Sequence, residues 1–145
     1  MPADKYFEEI EPGDELGPIT LVPTTEKIRQ FAKLQDPAGR PSRFTSDEVA
    51  KQQGLPFAMM PGIMGCAYLS KLLTTALPNA RVKRLDTVFR QSIPHNKPIR
   101  LIATVTDKKV TNGENTVECD VYLQKEDGEN MMTANALLFL PSKSS

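Results

Sequence analysis

Leu55-Pro56-Phe57-Ala58-Met59-Met60-Pro61-Gly62-Ile63-Met64-Gly65-Cys66-Ala67-Tyr68-Leu69-Ser70-Lys71-Leu72-Leu73 is the stretch around which the chain is organised. From Gly62 onward apolar residues recur at helical spacing: Ile63 and Ala67, then Met64, Tyr68 and Leu72, with Leu69 and Leu73 beside them. Nearly every face is apolar, which is the pattern of a buried helix. Pro61 suits the first helical turn, where a missing N–H and a fixed φ are no handicap. Gly62, Gly65, Cys66 and Ala67 are small, so another backbone or a ligand can approach the start of the helix closely. Polar Ser70, Lys71, Thr74 and Thr75 gather towards the far end and Pro78 stops the run, so the helix is expected over 62–77.

Downstream the period changes from helical to alternating. Val82, Leu85, Val88 and Phe89 mark one strand, and Ile99, Leu101, Ala103 and Val105 a second. Asn112-Gly113 is a hairpin turn leading into Val117, Cys119, Val121 and Leu123. Asp127-Gly128 is another turn, leading into Met132, Ala134, Ala136, Leu138 and Leu140. Upstream, Tyr6, Phe7 and Ile10 precede the turn Glu11-Pro12-Gly13-Asp14 and a short edge strand or arm through Leu16, Ile19, Leu21 and Val22. Thr24-Thr25-Glu26 opens a helix with a threonine cap, and Ile28, Phe31 and Ala32 form its apolar stripe. Residues 35–45 form a loop by composition, after which Ser46 caps a short helix through Val49 and Ala50 that ends at Gly54. The expected class is α+β: one buried helix wrapped by an antiparallel sheet, in one domain over 1–145 with a frayed tail at 142–145.

With 145 residues the chain can bury a core without staples. Its 18 basic and 18 acidic residues balance, which argues against a nucleic-acid or anionic-membrane footprint. No apolar run approaches the roughly 20 residues of a membrane span, and acidic residues crowd the N-terminus where a targeting signal would be basic and then apolar. Cys66 and Cys119 read as small buried hydrophobes in a reducing compartment rather than as a disulfide, so the expected location is the cytoplasm. One histidine and two separated cysteines make no metal cluster, and no glycine loop of the phosphate-cradling kind is present.

The order of these elements resembles a hotdog fold, and more narrowly the MaoC-like hydratase/dehydratase family, from about Tyr6 to Pro141. The residues that carry the resemblance are the arm Tyr6-Phe7-Glu8-Glu9-Ile10-Glu11-Pro12-Gly13-Asp14, the helix Glu26–Leu34, and the short helix ending Ala50-Lys51-Gln52-Gln53-Gly54. The small-residue entry to the central helix, Phe89-Arg90 and the turn at 94–97 complete it. The resemblance implies addition of water to 2-enoyl thioesters or its removal, with CoA or a carrier protein delivering the substrate and no further cofactor. It also implies an aspartate and a histidine acting on water as acid and base, and a glycine N–H at the central helix start donating to the thioester oxygen as it becomes enolate-like. On that pattern Asp36 stands for the aspartate and Gly62 for the oxyanion donor, while Phe44 or a neighbour falls at the histidine position and Pro61 replaces the histidine before the helix glycine. The single histidine, His95, lies instead in a strand-connecting turn. The resemblance further implies pairing with a second hotdog subunit, as a homodimer or a heterodimer, with acyl sites between subunits.

Each candidate has a simpler role beside the chemical one. Asp36 before Pro37 suits a turn-capping aspartate. Arg40 and Arg43 are expected either to pair with Asp36, to hold an anionic substrate group, or to face solvent. Gly62 serves either the thioester carbonyl or close packing. Phe44, Met60 and Pro61 are expected to line an acyl site, while Met59, Met60 and Met64 are flexible apolar filler that suits an acyl tunnel and core packing equally. His95, flanked by Pro94, Asn96, Lys97 and Pro98, reads as an exposed turn residue. Asp47 and Glu48 complement the dipole of the short helix, and Glu48 is retained only as the carboxylate of a thioesterase-like site. Three functions therefore compete: a hydratase or dehydratase working through Asp36, a non-catalytic subunit shaping the acyl pocket of an active partner, and a carboxylate-using thioesterase.

Overall fold

A single long helix lies against an antiparallel sheet in this computed structural model, which describes residues 4–143. Strand β1 (Glu15–Leu21) is followed by helices α1 (Thr25–Gln35), α2 (Asp47–Gln52) and α3 (Gly62–Ala76). Strands β2 (Arg81–Phe89), β3 (Ile99–Thr111), β4 (Glu114–Lys125) and β5 (Asn130–Phe139) complete the chain. The sheet order is β1-β3-β4-β5-β2, with every neighbouring pair antiparallel. The four alternating segments do form four strands, but β2 pairs with β5, the last of them, rather than with β3. The long 90–98 connection makes that possible by carrying the chain from one edge of the sheet towards the other.

The local signals act as expected at most element ends. Thr24 Oγ1 accepts from Lys27 N and Ser46 Oγ from Val49 N, each satisfying a first-turn N–H that the helix cannot. Asn112 and Gly113 both take positive φ, 52° and 78°, as a two-residue hairpin turn of the primed type requires. Gly128 takes φ 93° in a longer loop, where Lys125 N donates to Glu129 O and the β4–β5 register shifts beside Gln124. Within the expected tail, Ser142 and Lys143 are tied down: Asn115 Nδ2 donates to Ser142 Oγ at 2.8 Å and Lys143 N to Glu8 Oε2 at 3.1 Å. Residues 144–145 of that tail lie outside the described residues.

Leu69, Leu72 and Leu73 of α3 are fully buried, in one cluster with the inward-facing Leu101, Val121, Leu123, Met132 and Ala136 of the sheet. Burying each such side chain contributes about 1.5–3 kcal/mol. The helix is nevertheless not buried all round. Ile63, Ala67, Lys71 and Thr74, one stripe at helical spacing, are exposed, Ile63 to 62%. One sheet covers one side of a helix, and the apolar Ile63 and Ala67 are left on the other. Beside them the edge strand β2 exposes Val88 and Phe89, to 49% and 56%. Among the described residues no helix is long and apolar enough to cross a membrane.

Candidate functional site

Three connecting segments meet at the N-terminal end of α3: the 36–46 loop, the 55–61 approach and the 90–98 turn. Hydrogen bonds distant in sequence stitch them together. Met59 N donates to Arg43 O at 3.1 Å and Met60 N to Ile93 O at 2.7 Å, with an isolated bridge between Met59 and Pro94. Asp47 does more than complement a dipole, because its Oδ1 accepts from Ala58 N at 2.7 Å and so ties α2 to the approach.

His95 is half-buried, which corrects its reading as an exposed turn residue. Its Nε2 lies 2.8 Å from the Phe44 carbonyl oxygen and its Nδ1 3.0 Å from Thr25 Oγ1. A carbonyl only accepts, so Nε2 donates to it, while Nδ1 shares the second hydrogen bond with the threonine hydroxyl. Thr25 Oγ1 accepts from Asn96 Nδ2 at 2.9 Å, and Thr25 N donates to Asn96 Oδ1 at 3.0 Å. Asn96 holds this position with φ 63°, a region asparagine tolerates better than most residues. The imidazole thus pins the 36–46 loop to the start of α1.

Asp36 closes α1, its backbone N–H donating to Ala32 O. Arg40 grips its carboxylate at two points, Nε to Oδ2 at 2.9 Å and a terminal guanidinium N–H to Oδ1 at 3.2 Å, and Ala38 N donates to Oδ1 at 3.3 Å. The Arg40 hydrogen bonds hold the Asp36 carboxyl below its ordinary pKa, and the pairing raises that of Arg40. A carboxylate held ionised in this way is a poorer proton acceptor than a free one. Arg43 does not share the pair; its guanidinium carbon sits 4.9 Å from the Phe44 ring centroid.

Two clefts open on either side of Phe44. One, of about 460 Å³, lies between α1 and the 36–46 loop and is lined by Asp36 and Arg40. The other, of about 570 Å³, lies at the start of α3 and is lined by Gly62, Arg43, Met60, Phe89 and Arg90. Phe44 lines both, whereas Asp36 and Gly62 line different ones. The expected acid/base residue and the expected oxyanion donor are therefore not brought into one cleft. Pro61 is buried as the cap residue of α3, just outside the first turn, and Glu48 is exposed on α2 and lines neither cleft.

The Gly62 cleft suits an apolar chain with an electron-rich head. Met64 N and Gly65 N donate to the Pro61 carbonyl at 3.1 and 3.3 Å, while the N–H of Gly62, at the first helical position, has no intrahelical acceptor. That end of the helix favours negative charge. The ring of Phe89 packs closely on this glycine: a Cβ at Gly62 would lie 2.6 Å from its Cε1, so a larger residue there would have to displace the exposed ring. Leu55, Met59, Met60 and Phe89 supply apolar wall. The ionisable residues of this lining are Arg43 and Arg90. Arg90 entered the sequence reading only as part of the Phe89-Arg90 pair and not as a site residue, and Gln91 and Ser92 were not singled out.

Solved structures with the same architecture are numerous. The MaoC-like dehydratase from Rhodospirillum rubrum superposes with a TM-score of 0.84 at 17% identity, covering 97% of this chain and 99% of that one. The fold is the hotdog fold. The (R)-hydratase from A. caviae involved in PHA biosynthesis follows with a TM-score of 0.79 at 15% identity, over 92% of this chain and 99% of that one. A chain of the ChsH1–ChsH2 complex from Mycobacterium tuberculosis gives 0.72 at 18% identity, over 90% of this chain and 98% of that one. No protein-family model matches the sequence, and no curated protein matches it. The structural neighbours are thus MaoC-like dehydratases and R-hydratases, and at these identities the likeness speaks for architecture.

Proposed function

We propose that the chain binds acyl thioesters of the enoyl or 3-hydroxyacyl kind in the Gly62 cleft, as one half of a hotdog pair whose other half supplies the acid–base groups. The observation that carries this reading is the separation of roles around Phe44. The cleft with the free helix N–H and the apolar wall has arginines as its ionisable lining, while Asp36 is engaged by Arg40 in the other cleft and His95 is engaged by Thr25 and Phe44. The Gly62 N–H would receive the thioester oxygen, and Phe44, Met59 and Met60 the acyl chain. The thioester, on CoA or a carrier protein, is the substrate and no further cofactor is invoked. Exposed Ile63, Val88 and Phe89 beside this cleft support a second subunit covering it. Two free thiols support a reducing, cytoplasmic setting.

Calorimetry of the purified chain with saturated and 2-enoyl-CoAs, run beside an enone-absorbance hydration assay, tests the proposal. Saturable binding without turnover is expected. Turnover by the chain alone that falls about 10²-fold or more in Asp36→Asn, the usual scale for a general acid or base, would replace this reading with a self-sufficient hydratase.

A further inference from the structure

The cleft between α1 and the 36–46 loop has a chemistry of its own. Arg29 and Lys33, one helical turn apart on α1, both line it, and among the described residues neither has a carboxylate within 4.0 Å. The Lys33 chain reaches over the loop, its Cε 3.7 Å from where a Cβ on Gly39 would sit. The one carboxylate in the lining, Asp36, is matched by Arg40, so it does not oppose an incoming anion. Ser42 and Thr45 also line the cleft, and their hydroxyl oxygens are already acceptors: Ser42 Oγ from Phe44 N at 3.2 Å, and Thr45 Oγ1 from Ser42 N at 3.1 Å. Each O–H hydrogen is then free to donate, with no acceptor for it among the described residues. Exposed Arg29 and Lys33 on α1, with no carboxylate on either among the described residues, and two hydroxyls on a loop that His95 pins in place make a site for a compact anion.

We propose that this cleft is a phosphate subsite, in which Arg29, Lys33, Ser42 and Thr45 hold a phosphate ester. The inference rests on the acyl-thioester reading in one respect: the phosphate is that of the thioester's carrier portion, lying across Phe44 from the acyl group in the Gly62 cleft. Two carriers present this chemistry, a nucleotide-bearing coenzyme and a phosphopantetheine arm. The 460 Å³ cleft accommodates the phosphate of either. Charge-assisted hydrogen bonds of this kind strengthen binding by about tenfold or more each.

The test compares the affinity of the full chain for one acyl group carried on CoA, on 4′-phosphopantetheine and on unphosphorylated pantetheine. The proposal expects the pantetheine thioester to bind about tenfold or more weakly than the CoA thioester. Arg29→Gln/Lys33→Gln should remove that difference without altering pantetheine binding, and Lys27→Gln, exposed on the same helix, should leave it in place. Affinity for the 4′-phosphopantetheine thioester that matches CoA assigns the phosphate to the arm, and affinity that matches pantetheine assigns it to the nucleotide. Equal binding of the CoA and pantetheine thioesters overturns the subsite and leaves the thioester reading standing. If no thioester binds, inorganic phosphate and pyrophosphate decide the subsite alone. Saturable shifts of the Ser42–Thr45 amides that vanish in the double variant support it, and their absence overturns it.

Discussion

Replacing His95 by alanine removes two contacts that reach across 51 and 70 positions of the chain, to the Phe44 carbonyl and the Thr25 hydroxyl. Each hydrogen bond contributes about 0.5–1.5 kcal/mol net, and a half-buried carbonyl left without its donor costs more until water reaches it. Thr25 keeps its bond from Asn96, so the larger share of the loss falls on Phe44. The expected destabilisation is about 2 kcal/mol, which for a domain of this size lowers Tm by about 6–8 °C. His95→Gln, whose amide can donate to Phe44 and accept from Thr25, is expected to recover about half. In a double-mutant cycle Thr25→Val and His95→Ala should fall short of additivity by about 0.5–1 kcal/mol. Thermal unfolding gives the totals, and amide hydrogen exchange gives the location: protection should fall across the 42–46 segment and at Met59, whose N–H is bound to Arg43 O. A His95→Ala variant with Tm within 1 °C of the parent and unchanged exchange in that segment would refute the idea that the imidazole pins the loop. Because Phe44 walls both clefts, the same variant should weaken any ligand of either one.

Three further outcomes are expected. The Asp36 carboxyl should titrate below the ordinary aspartate range by carbon NMR and rise towards it in Arg40→Gln, with the Ala38 N–H still holding it down in part. Its folded pKa is depressed, so whatever stability the pair adds is present above the unfolded carboxyl's range and is lost as pH falls through the folded value. Burial pushes the Cys119 thiol up to about 12, with Asp120 and Glu118 adding to it. At pH 8 only about 10⁻⁴ of it is thiolate, so a disulfide reagent should modify partly exposed Cys66 first and Cys119 only on unfolding. The sign is opposite to that of Asp36, since the Cys119 contribution holds below the unfolded thiol's range and is lost as pH rises towards 12. Leu72→Ala, at a fully buried position under the sheet, should cost about 2–5 kcal/mol by urea unfolding.

The helix and strands were legible because their signals are local and repeated. Gly62–Ala76 declares itself through its apolar spacing and its terminal Pro78, and β3, β4 and β5 through alternation broken by Asn112-Gly113 and Asp127-Gly128. The pairing of β2 with β5 was not legible, since alternation identifies a face and says nothing of the partner strand. The exposed stripe on α3 escaped for a related reason: Ile63 and Ala67 are as apolar as the buried Leu69 and Leu73, and only the extent of the sheet tells them apart. The role of His95 depends on Thr25 and Phe44, each more than 50 positions away, and no local pattern announces it. Arg29 and Lys33 did leave a mark, one turn apart and offset from the Ile28–Phe31–Ala32 stripe, but spacing alone does not separate a lined cleft from open solvent.

The division of the site also bears on what this fold does with a loop that lacks a histidine. On the reading proposed above, two hotdog subunits would divide one helix N-terminus, one acyl channel and one acid–base set between them. Here the 36–46 loop carries a matched ion pair and a carbonyl bound to an imidazole from the 90–98 turn, both of which hold it in shape. A loop that delivers protons gains from having its titrating groups free to exchange them, whereas a loop that shapes two clefts gains from having them locked. In this chain they are locked, and the groups around it without a partner among the described residues, the Gly62 N–H, Arg29, Lys33 and two hydroxyls, are donors of the kind the proposed anionic or electron-rich ligand needs.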